Sequence, residues 1–159
     1  MNQDLFKKIC GSFVTGVTVI TSKDKNIDYG FTANSFTSVS IDPFLILFCL
    51  NKDAKSNIAL NNKSFFVINI LSEKQKSICI QFANNKFSPK ERFKGIKTRN
   101  SNNQIKIITD SIAFLECQVT EIVESGDHYI YIGKVFEGDL NKDLVKPLVY
   151  QNGVIKRLL

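Results

Sequence analysis

A segment of small, hydroxyl-bearing residues lies between two apolar runs of the chain. It spans residues 32–40, with the sequence Thr-Ala-Asn-Ser-Phe-Thr-Ser-Val-Ser, and the apolar runs are 17–20 and 44–48. A buried strand would not hold so many hydrogen-bonding side chains, and an ordinary loop would not keep Phe36 and Val39 at intervals. Small side chains let backbone N–H groups approach a flat polar ligand, while hydroxyl and amide groups bind its rim. The segment predicts a ligand-binding surface on a β scaffold; a polar turn feeding a strand is the simpler alternative.

The hydrophobic periodicity is mostly that of β-strands. Strand-like runs occur at 15–21, 65–71, 113–123 and 128–136, and Asn152-Gly153 between 148–150 and 154–158 is a hairpin signal. The continuous apolar run 44–50 predicts a central strand that is buried on both faces. Many strands with short helical insertions favour a closed barrel, which has no exposed sheet edge. We therefore predict a mainly β (α+β) fold of antiparallel strands with short peripheral helices.

Helices are predicted at four short segments. Residues 4–11 place Leu5, Phe6 and Ile9 on one face, and residues 53–60 begin at Asp53, a good N-cap residue. Two further helices begin with capping boxes, Ser72 with Gln75 and Ser88 with Glu91. The polar, aperiodic segment 97–104 predicts a surface loop.

Length and composition are those of a soluble globular protein. The chain has 159 residues, of which 43% are hydrophobic and 23% are charged, so we expect one domain over residues 1–159. No apolar stretch approaches the roughly 20 residues of a membrane helix. The first residues lack the pattern of a signal peptide. We expect a cytoplasmic protein with no membrane partner.

Cysteine spacing and charge narrow the choice of ligand. The four cysteines form no Cys-x-x-Cys pair and there is one histidine, so we expect no metal site and small buried thiols. The net charge is +6, but the basic residues are scattered singly and accompany no nucleic-acid motif. We expect no nucleic-acid partner; a mildly basic surface suits anionic small molecules.

Short motifs along the chain occur in a characteristic order. They are 16–21, Gly30 with 32–36 and 38–40, Asp42-Pro43, Asn51 with Ser56, 66–71, Gln75, Phe82-Ala83, Arg92-Phe93, Cys117, Gly126-Asp127-His128, 133–135 and 147–150. Each motif is weak alone. Their order and spacing over residues 13–158 resemble the flavin reductase-like family, whose members bind FMN or FAD on a split β-barrel and are typically dimeric. The segment 104–108 departs from the family pattern, because it lacks a Gly and a Pro found in many members near the flavin edge.

The resemblance implies site roles for individual residues. The isoalloxazine ring would lie along Thr32, Ala33, Asn34, Ser35 and Phe36, with Ser38, Val39 and Ser40 continuing that wall; Asn51 and Ser56 would hold the ribityl chain and phosphate; Phe82 and Ala83 would close over the flavin; Gly126, Asp127 and His128 would face the nicotinamide; and Tyr150 lies in the matching C-terminal element. Since the chain has no Gly-rich phosphate loop, Lys55, Ser56 and Arg92 are the phosphate candidates.

Simpler structural explanations exist for several of these residues. His128 follows a turn and also suits the surface of a hairpin, where the functional alternative is a hydrogen-bond donor to the nicotinamide. Ser56 also suits the first turns of its helix, and Arg92 a solvated position on a short helix. Phe82 continues an apolar helix face and suits the core.

The function we expect is NAD(P)H-dependent reduction of a flavin. Hydride would pass from NADH or NADPH to FMN, with FAD possible, in a homodimer that supplies a partner monooxygenase or another acceptor. In such a reaction the cofactors carry the chemistry, and the protein orients them and excludes water. Two alternatives stay open: a flavin-binding electron carrier that retains FMN and ignores free NAD(P)H, and a split-barrel enzyme acting on pyridoxal phosphate.

Overall fold

Antiparallel strands make up most of the computed structural model, which describes residues 1–143 and 146–157. The strands are β1 Thr15–Gly16, β2 Thr18–Asp24, β3 Ile27–Ala33, β4 Thr37–Ile41, β5 Phe44–Asn51, β6 Phe65–Ile70, β7 Thr98–Asn100, β8 Lys106–Ile108, β9 Ala113–Ser125, β10 His128–Leu140, β11 Leu148–Gln151 and β12 Val154–Arg157. The α-helices are α1 Gln3–Ser12, α2 Lys76–Ala83 and α3 Pro89–Arg92, and 3-10 turns cover Lys55–Ala59 and Glu73–Gln75. The predicted hairpin of β11 and β12 is confirmed, with residue 158 outside the described residues.

The main sheet has seven strands in the order β3-β2-β6-β9-β10-β5-β4. It curls around an aromatic core in which Phe48 stacks on Tyr131 with ring centroids 5.1 Å apart. Phe31 of β3 meets Phe48 across the curl at 5.8 Å, although β3 and β4 remain edge strands. The mainly β fold is therefore confirmed, but the expectation of a closed barrel is wrong: side-chain packing, and not a continuous ladder, brings the two ends of the sheet together.

The apolar run of β5 predicted a central strand that is buried on both faces. This prediction is wrong on both points. The strand is second from the sheet edge, and its burial alternates. Ile46, Phe48 and Leu50 point into the core, while Leu45, Leu47 and Cys49 lie half-buried on the outer face. The run is continuous because both faces are apolar, which sequence alone cannot distinguish from two-sided burial.

The predicted loop 97–104 contains a strand. β7 pairs with β8 from Thr98 opposite Ile108 to Asn100 opposite Lys106, and the hairpin packs Ile105 and Ile107 against Val67 and Phe114. Buried Asn69 attaches it: its Nδ2 donates to the Val19 carbonyl at 3.0 Å, and its Oδ1 accepts from the Ile108 N–H at 2.7 Å. The apolar residues that hold this hairpin lie in its second half, so β7 carries no periodicity of its own.

The helix predictions are confirmed at three segments and wrong in one detail at the fourth. Both capping boxes are formed, and α1 begins at an Asn2 cap. Asp53 is not an N-cap, because the 3-10 turn begins after Ala54 without a side-chain cap. The Asp53 N–H instead bonds the Asn51 side chain at 2.8 Å, which closes a tight turn at the end of β5.

The apolar side chains of α1 are exposed, and the helix contains no buried residue. Cys79 and Cys117 are buried as expected, whereas Cys10 on α1 is exposed. No helix within 1–143 and 146–157 combines the length and apolar character needed to cross a bilayer. The same residues contain no group of three potential metal ligands.

Candidate functional site

A groove along the end of β3 divides into two compartments. The first, here the Ser56 compartment, has a volume of about 430 Å³ and is lined by Phe31, Thr32, Leu50, Asn51, Asp53, Ala54, Lys55, Ser56, Phe82, Ala83, Asn85 and Arg92. The second, the Tyr150 compartment, has about 450 Å³ and is lined by Val17, Thr32, Ala33, Asn34, Cys79, Ile80, Ala83, Asn84, Tyr150, Gly153 and Ile155. Thr32 and Ala83 belong to both walls, so the two compartments adjoin at these residues.

Close packing of α2 on β3 forms the middle of the groove. The Thr32 hydroxyl donates to the Cys79 carbonyl of α2 at 2.7 Å. Gly30 lies directly under the Phe82 ring, and a Cβ at Gly30 would meet that ring at 2.5 Å. Glycine is therefore required for this approach of α2 to β3. Phe82 is fully buried and also lines the Ser56 compartment, so the core and groove-wall interpretations both apply.

Arg92 is a buried cation in the wall of the Ser56 compartment. It is 8% exposed; its Nη1 donates to the Gly30 carbonyl at 2.6 Å and its Nη2 to the Asn84 carbonyl at 3.2 Å. Its Nε is buried without a partner, and among the described residues no carboxylate lies within ion-pair distance of it. Burial lowers the pKa of the guanidinium, which nevertheless stays charged. The solvated-charge interpretation of Arg92 is therefore wrong.

This unneutralised charge fits an anionic group in the compartment. A buried charge is costly unless it is paired and hydrogen-bonded. Two carbonyl dipoles offset part of that cost, and the free Nε–H leaves one donor unused. The hydroxyl of buried Ser56 also has no hydrogen-bond partner in the described chain, and Lys55 lines the same wall. A phosphate is an anion that such a set of donors can hold.

Asn57, which sequence analysis missed, positions the turn that carries Ser56. Its Nδ2 donates to the Asn51 and Lys52 carbonyls, each at 2.9 Å, and its Oδ1 accepts from the Tyr131 hydroxyl at 2.8 Å. Burial raises the pKa of Tyr131 to about 12, so the hydroxyl stays a donor at neutral pH. In the sequence, Asn57 is recognisable only as an asparagine next to Ser56. Nothing in the neighbouring residues indicates that Tyr131 of β10 is its partner.

The second half of the 32–40 segment lies outside both compartments. The Ser35 hydroxyl accepts from the Cys49 N–H at 2.9 Å and donates to the Cys49 carbonyl at 3.1 Å, which attaches the segment to β5. Phe36 packs against the barrel core. Ser38, Val39 and Ser40 lie on edge strand β4. Only Thr32, Ala33 and Asn34 of this segment reach the groove.

The Gly126-Asp127-His128 motif lies at the rim, next to the end of β5. His128 is opposite Asn51 in the ladder, and the Asp127 carbonyl accepts from the Lys52 N–H at 3.0 Å. The His128 Nδ1 lies 2.7 Å from the Asp127 carboxylate, and this hydrogen bond lowers the pKa of Asp127. Strand alternation places His128 on the outer sheet face, on the same side as Ile130 and Ile132. The histidine therefore lies beside the Ser56 compartment without lining it.

Comparisons with known proteins identify one family. Residues 10–159 match the family model of the flavin reductase like domain. A probable flavin reductase of Rhizobium meliloti is 43% identical over 126 residues, which are 79% of this chain and 40% of that protein. The reductase subunit HsaB of a flavin-dependent monooxygenase of Rhodococcus jostii is 32% identical over 149 residues, 93% of this chain and 74% of the subunit. This chain thus spans less than half the length of the Rhizobium relative.

A solved structure has the same fold. The NADH:FAD oxidoreductase of Streptomyces globisporus, in complex with NAD and FAD fragments, superposes with a TM-score of 0.91 and 30% identity, covering 99% of this chain and 93% of that one. The chain belongs to the flavin reductase-like family. The family resemblance, the split-barrel fold and the oxidoreductase class expected from the sequence are confirmed.

Proposed function

We propose that the protein is an NAD(P)H-dependent flavin reductase that binds FMN along the groove and passes the reduced flavin to a partner monooxygenase. The observation that carries this proposal is the buried, unneutralised Arg92 beside Ser56 at one end of a groove with small, polar walls. A flavin mononucleotide has the matching shape, with an anionic end and a flat polar end. The R. jostii relative is a reductase subunit of a monooxygenase, which supports the choice of partner.

The phosphate would lie in the Ser56 compartment and the ring would extend into the Tyr150 compartment. Arg92, Ser56 and Lys55 would bind the phosphate, and Asn51 would contact the ribityl chain. The ring would then lie against Thr32, Ala33 and Asn34, with Ala83 closing over it and Tyr150 at its far end. When bound, the flavin supplies the hydride acceptor. The chain contributes binding, alignment and the exclusion of water from the reacting face.

A homodimer would complete the site around His128. The outer face of β5 and β10 carries Leu45, Leu47, Cys49, Ile130 and Ile132, and Val123 of β9 extends it. This apolar cluster, next to Lys134 opposite Leu45 and Glu121 opposite Ile132, favours covering by a second copy. His128 and Asn51 lie at one end of this face, and Ser40 pairs with Leu45 at its edge. A second subunit there would enclose His128, Gly126 and Asp127 and cover Ser38 to Ser40.

FMN is the preferred flavin in this proposal, with FAD accepted. The Ser56 compartment accounts for one phosphate end, and its lining residues include no exposed aromatic side chain that would stack on an adenine. The S. globisporus neighbour is named for FAD, so FAD is the natural comparison ligand. We also place the protein in the cytoplasm, where its free thiols would stay reduced, and treat residues 1–159 as one domain.

Anaerobic reduction of FMN tests the proposal. Catalytic amounts of protein, added to excess FMN and NADH or NADPH, are expected to bleach the flavin absorbance at a rate proportional to enzyme. The preferred nicotinamide follows from the two rates. A protein that binds FMN yet bleaches none with either nicotinamide would instead be an electron carrier.

A further inference from the structure

Beyond the two compartments, the groove continues along α1. A third compartment, here the α1 compartment, has a volume of about 950 Å³ and adjoins the Tyr150 compartment, with which it shares Asn34, Tyr150 and Gly153. Its other wall is formed by α1, which contributes Lys7 and Lys8. The groove therefore extends in one direction from Arg92, through Thr32 and Tyr150, to these two lysines.

The α1 wall is attached to the β11–β12 hairpin by specific contacts. The Asn152 N–H donates to the Gly11 carbonyl at 2.8 Å, and β1 pairs Thr15 with Tyr150. The Asn34 amide donates to the Thr15 hydroxyl at 3.3 Å. The end of α1, the hairpin turn and the end of β3 are thus one connected surface, and the lysines are held at a fixed side of the groove.

The charge in the α1 compartment is of one sign. Lys7 and Lys8 line it together with neutral groups, and none of its described lining residues is a carboxylate. In the Ser56 compartment, by contrast, Asp53 stands beside Lys55 and Arg92. Two lysines with hydroxyl and amide neighbours suit a diphosphate, which accepts hydrogen bonds from many directions and needs only point charges.

We propose that the α1 compartment binds the adenosine diphosphate end of the nicotinamide co-substrate, with Lys7 and Lys8 as diphosphate ligands. This inference rests on the proposed function, because it takes the direction of the flavin from Arg92. With the flavin phosphate at the Arg92 end, an adenylate carried on FAD extends away from α1. A nicotinamide stacked on the ring in the Tyr150 compartment can direct its own diphosphate towards α1.

The test is the double variant Lys7→Ala/Lys8→Ala, with Lys76→Ala/Lys90→Ala as the matched control. The control lysines are also exposed and helical, but they line none of the three compartments. Each exposed charge contact contributes about 0.2–1 kcal/mol, so the double variant is expected to raise the KM for NADH and NADPH about three- to tenfold with little change in kcat. The control variant is expected to match the wild type.

Three comparisons identify the occupant. Reduced nicotinamide mononucleotide, which lacks the adenylate, is expected to have the same KM with the wild type and the double variant. The Kd values of FMN and FAD are also expected to be unchanged. Loss of FAD affinity alone would overturn the proposal and give the compartment to the flavin adenylate. Equal losses for both nicotinamide substrates, or a double variant indistinguishable from the control, would overturn it as well.

Binding of 5′-ADP separates this inference from the proposed function. Calorimetric titration of ADP needs no turnover, and its Kd is expected to rise about three- to tenfold in the double variant, a size that follows from the same charge contacts. If the wild type reduces no flavin but this shift is seen, the reductase proposal fails while the adenylate site stands. If flavin is reduced but ADP binding does not depend on Lys7 and Lys8, the site fails while the reductase stands.

Discussion

At the scale of single residues, Arg92 has the largest consequence for ligand binding. Its two carbonyl bonds fix the guanidinium at the groove wall, and its charge has no carboxylate partner among the described residues. Because the chain has no Gly-rich phosphate loop, sequence analysis made Arg92 one of three phosphate candidates. The burial of Arg92 and its lack of a carboxylate partner could not be predicted from the sequence. They depend on the folded structure, in which the guanidinium donates to the backbone carbonyls of Gly30 and Asn84.

Arg92→Met is expected to weaken FMN binding and to spare riboflavin. Methionine keeps an unbranched stem but removes the charge, and a hydrogen bond to a charged group contributes about 1.5–3 kcal/mol, so the Kd for FMN should rise at least tenfold. Fluorescence titration with both flavins measures this. Lys55→Ala, which removes a more exposed cation from the same wall, should have a smaller effect. Equal loss of riboflavin and FMN would show that Arg92 acts only on the fold.

Tyr131 gives the Ser56 turn a dependence on alkaline pH. Its pKa is raised by burial to about 12, from an ordinary value of about 10. The unfolded chain therefore loses this proton first, and the stability that Tyr131 contributes is complete below about pH 10 and is lost as the pH rises towards 12.

Between about pH 10 and pH 12, the free energy of unfolding of Tyr131→Phe is expected to move closer to that of the wild type. Phenylalanine has no proton to lose, so the difference in free energy of unfolding should be constant up to about pH 10 and then shift in favour of the variant. Urea unfolding of both proteins between pH 8 and 11.5 measures it. A difference that stays constant through pH 11.5 would contradict the raised pKa.

At the scale of elements, local signals predicted the helices better than the strands. Each capping box is formed by residues three apart, so Ser72 with Gln75 and Ser88 with Glu91 could be found in the sequence. The true environment of β5 depends on which strands flank it. Strand β7 pairs with β8, and β8 is held by Asn69, which lies far away in the sequence. The Asn69 side-chain oxygen accepts a hydrogen bond from the Ile108 N–H of β8.

Asn69→Ala is expected to destabilise the protein by roughly 1–3 kcal/mol, because the Ile108 N–H and the Val19 carbonyl would lose buried partners. Asn100→Ala removes an exposed amide from the β7–β8 hairpin and should change stability by less than about 0.5 kcal/mol. Chemical denaturation compares the two variants. Similar stability for both would mean that Asn69 does not hold the hairpin.

At the scale of the whole molecule, the sequence predicted the fold class and many groove residues but not the groove. Thr32, Asn51, Ser56, Ala83 and Arg92 line one compartment, although they lie on five different elements. The open curl of the sheet and the position of Ser38 to Ser40 on its edge could not be derived, since both depend on which strands end unpaired.

The outer sheet face predicts how copies of the chain associate. Leu47→Lys with Ile132→Lys would place two charges on directly paired positions of β5 and β10, and such buried charges are costly without partners. The wild type is expected to sediment as a dimer at micromolar concentration and this variant as a monomer. Ile27→Lys, at an exposed position on β3, is the control and should remain dimeric. A monomeric wild type would contradict the proposed interface.

The most direct test of the whole account is a crystal structure of the protein with FMN. The phosphate oxygens are expected within hydrogen-bond distance of Ser56 Oγ and next to the Arg92 guanidinium, and the ring is expected to run along Thr32 and Ala83 towards Tyr150. A flavin whose phosphate lies in the Tyr150 compartment, or whose ring lies outside the groove, would contradict the account.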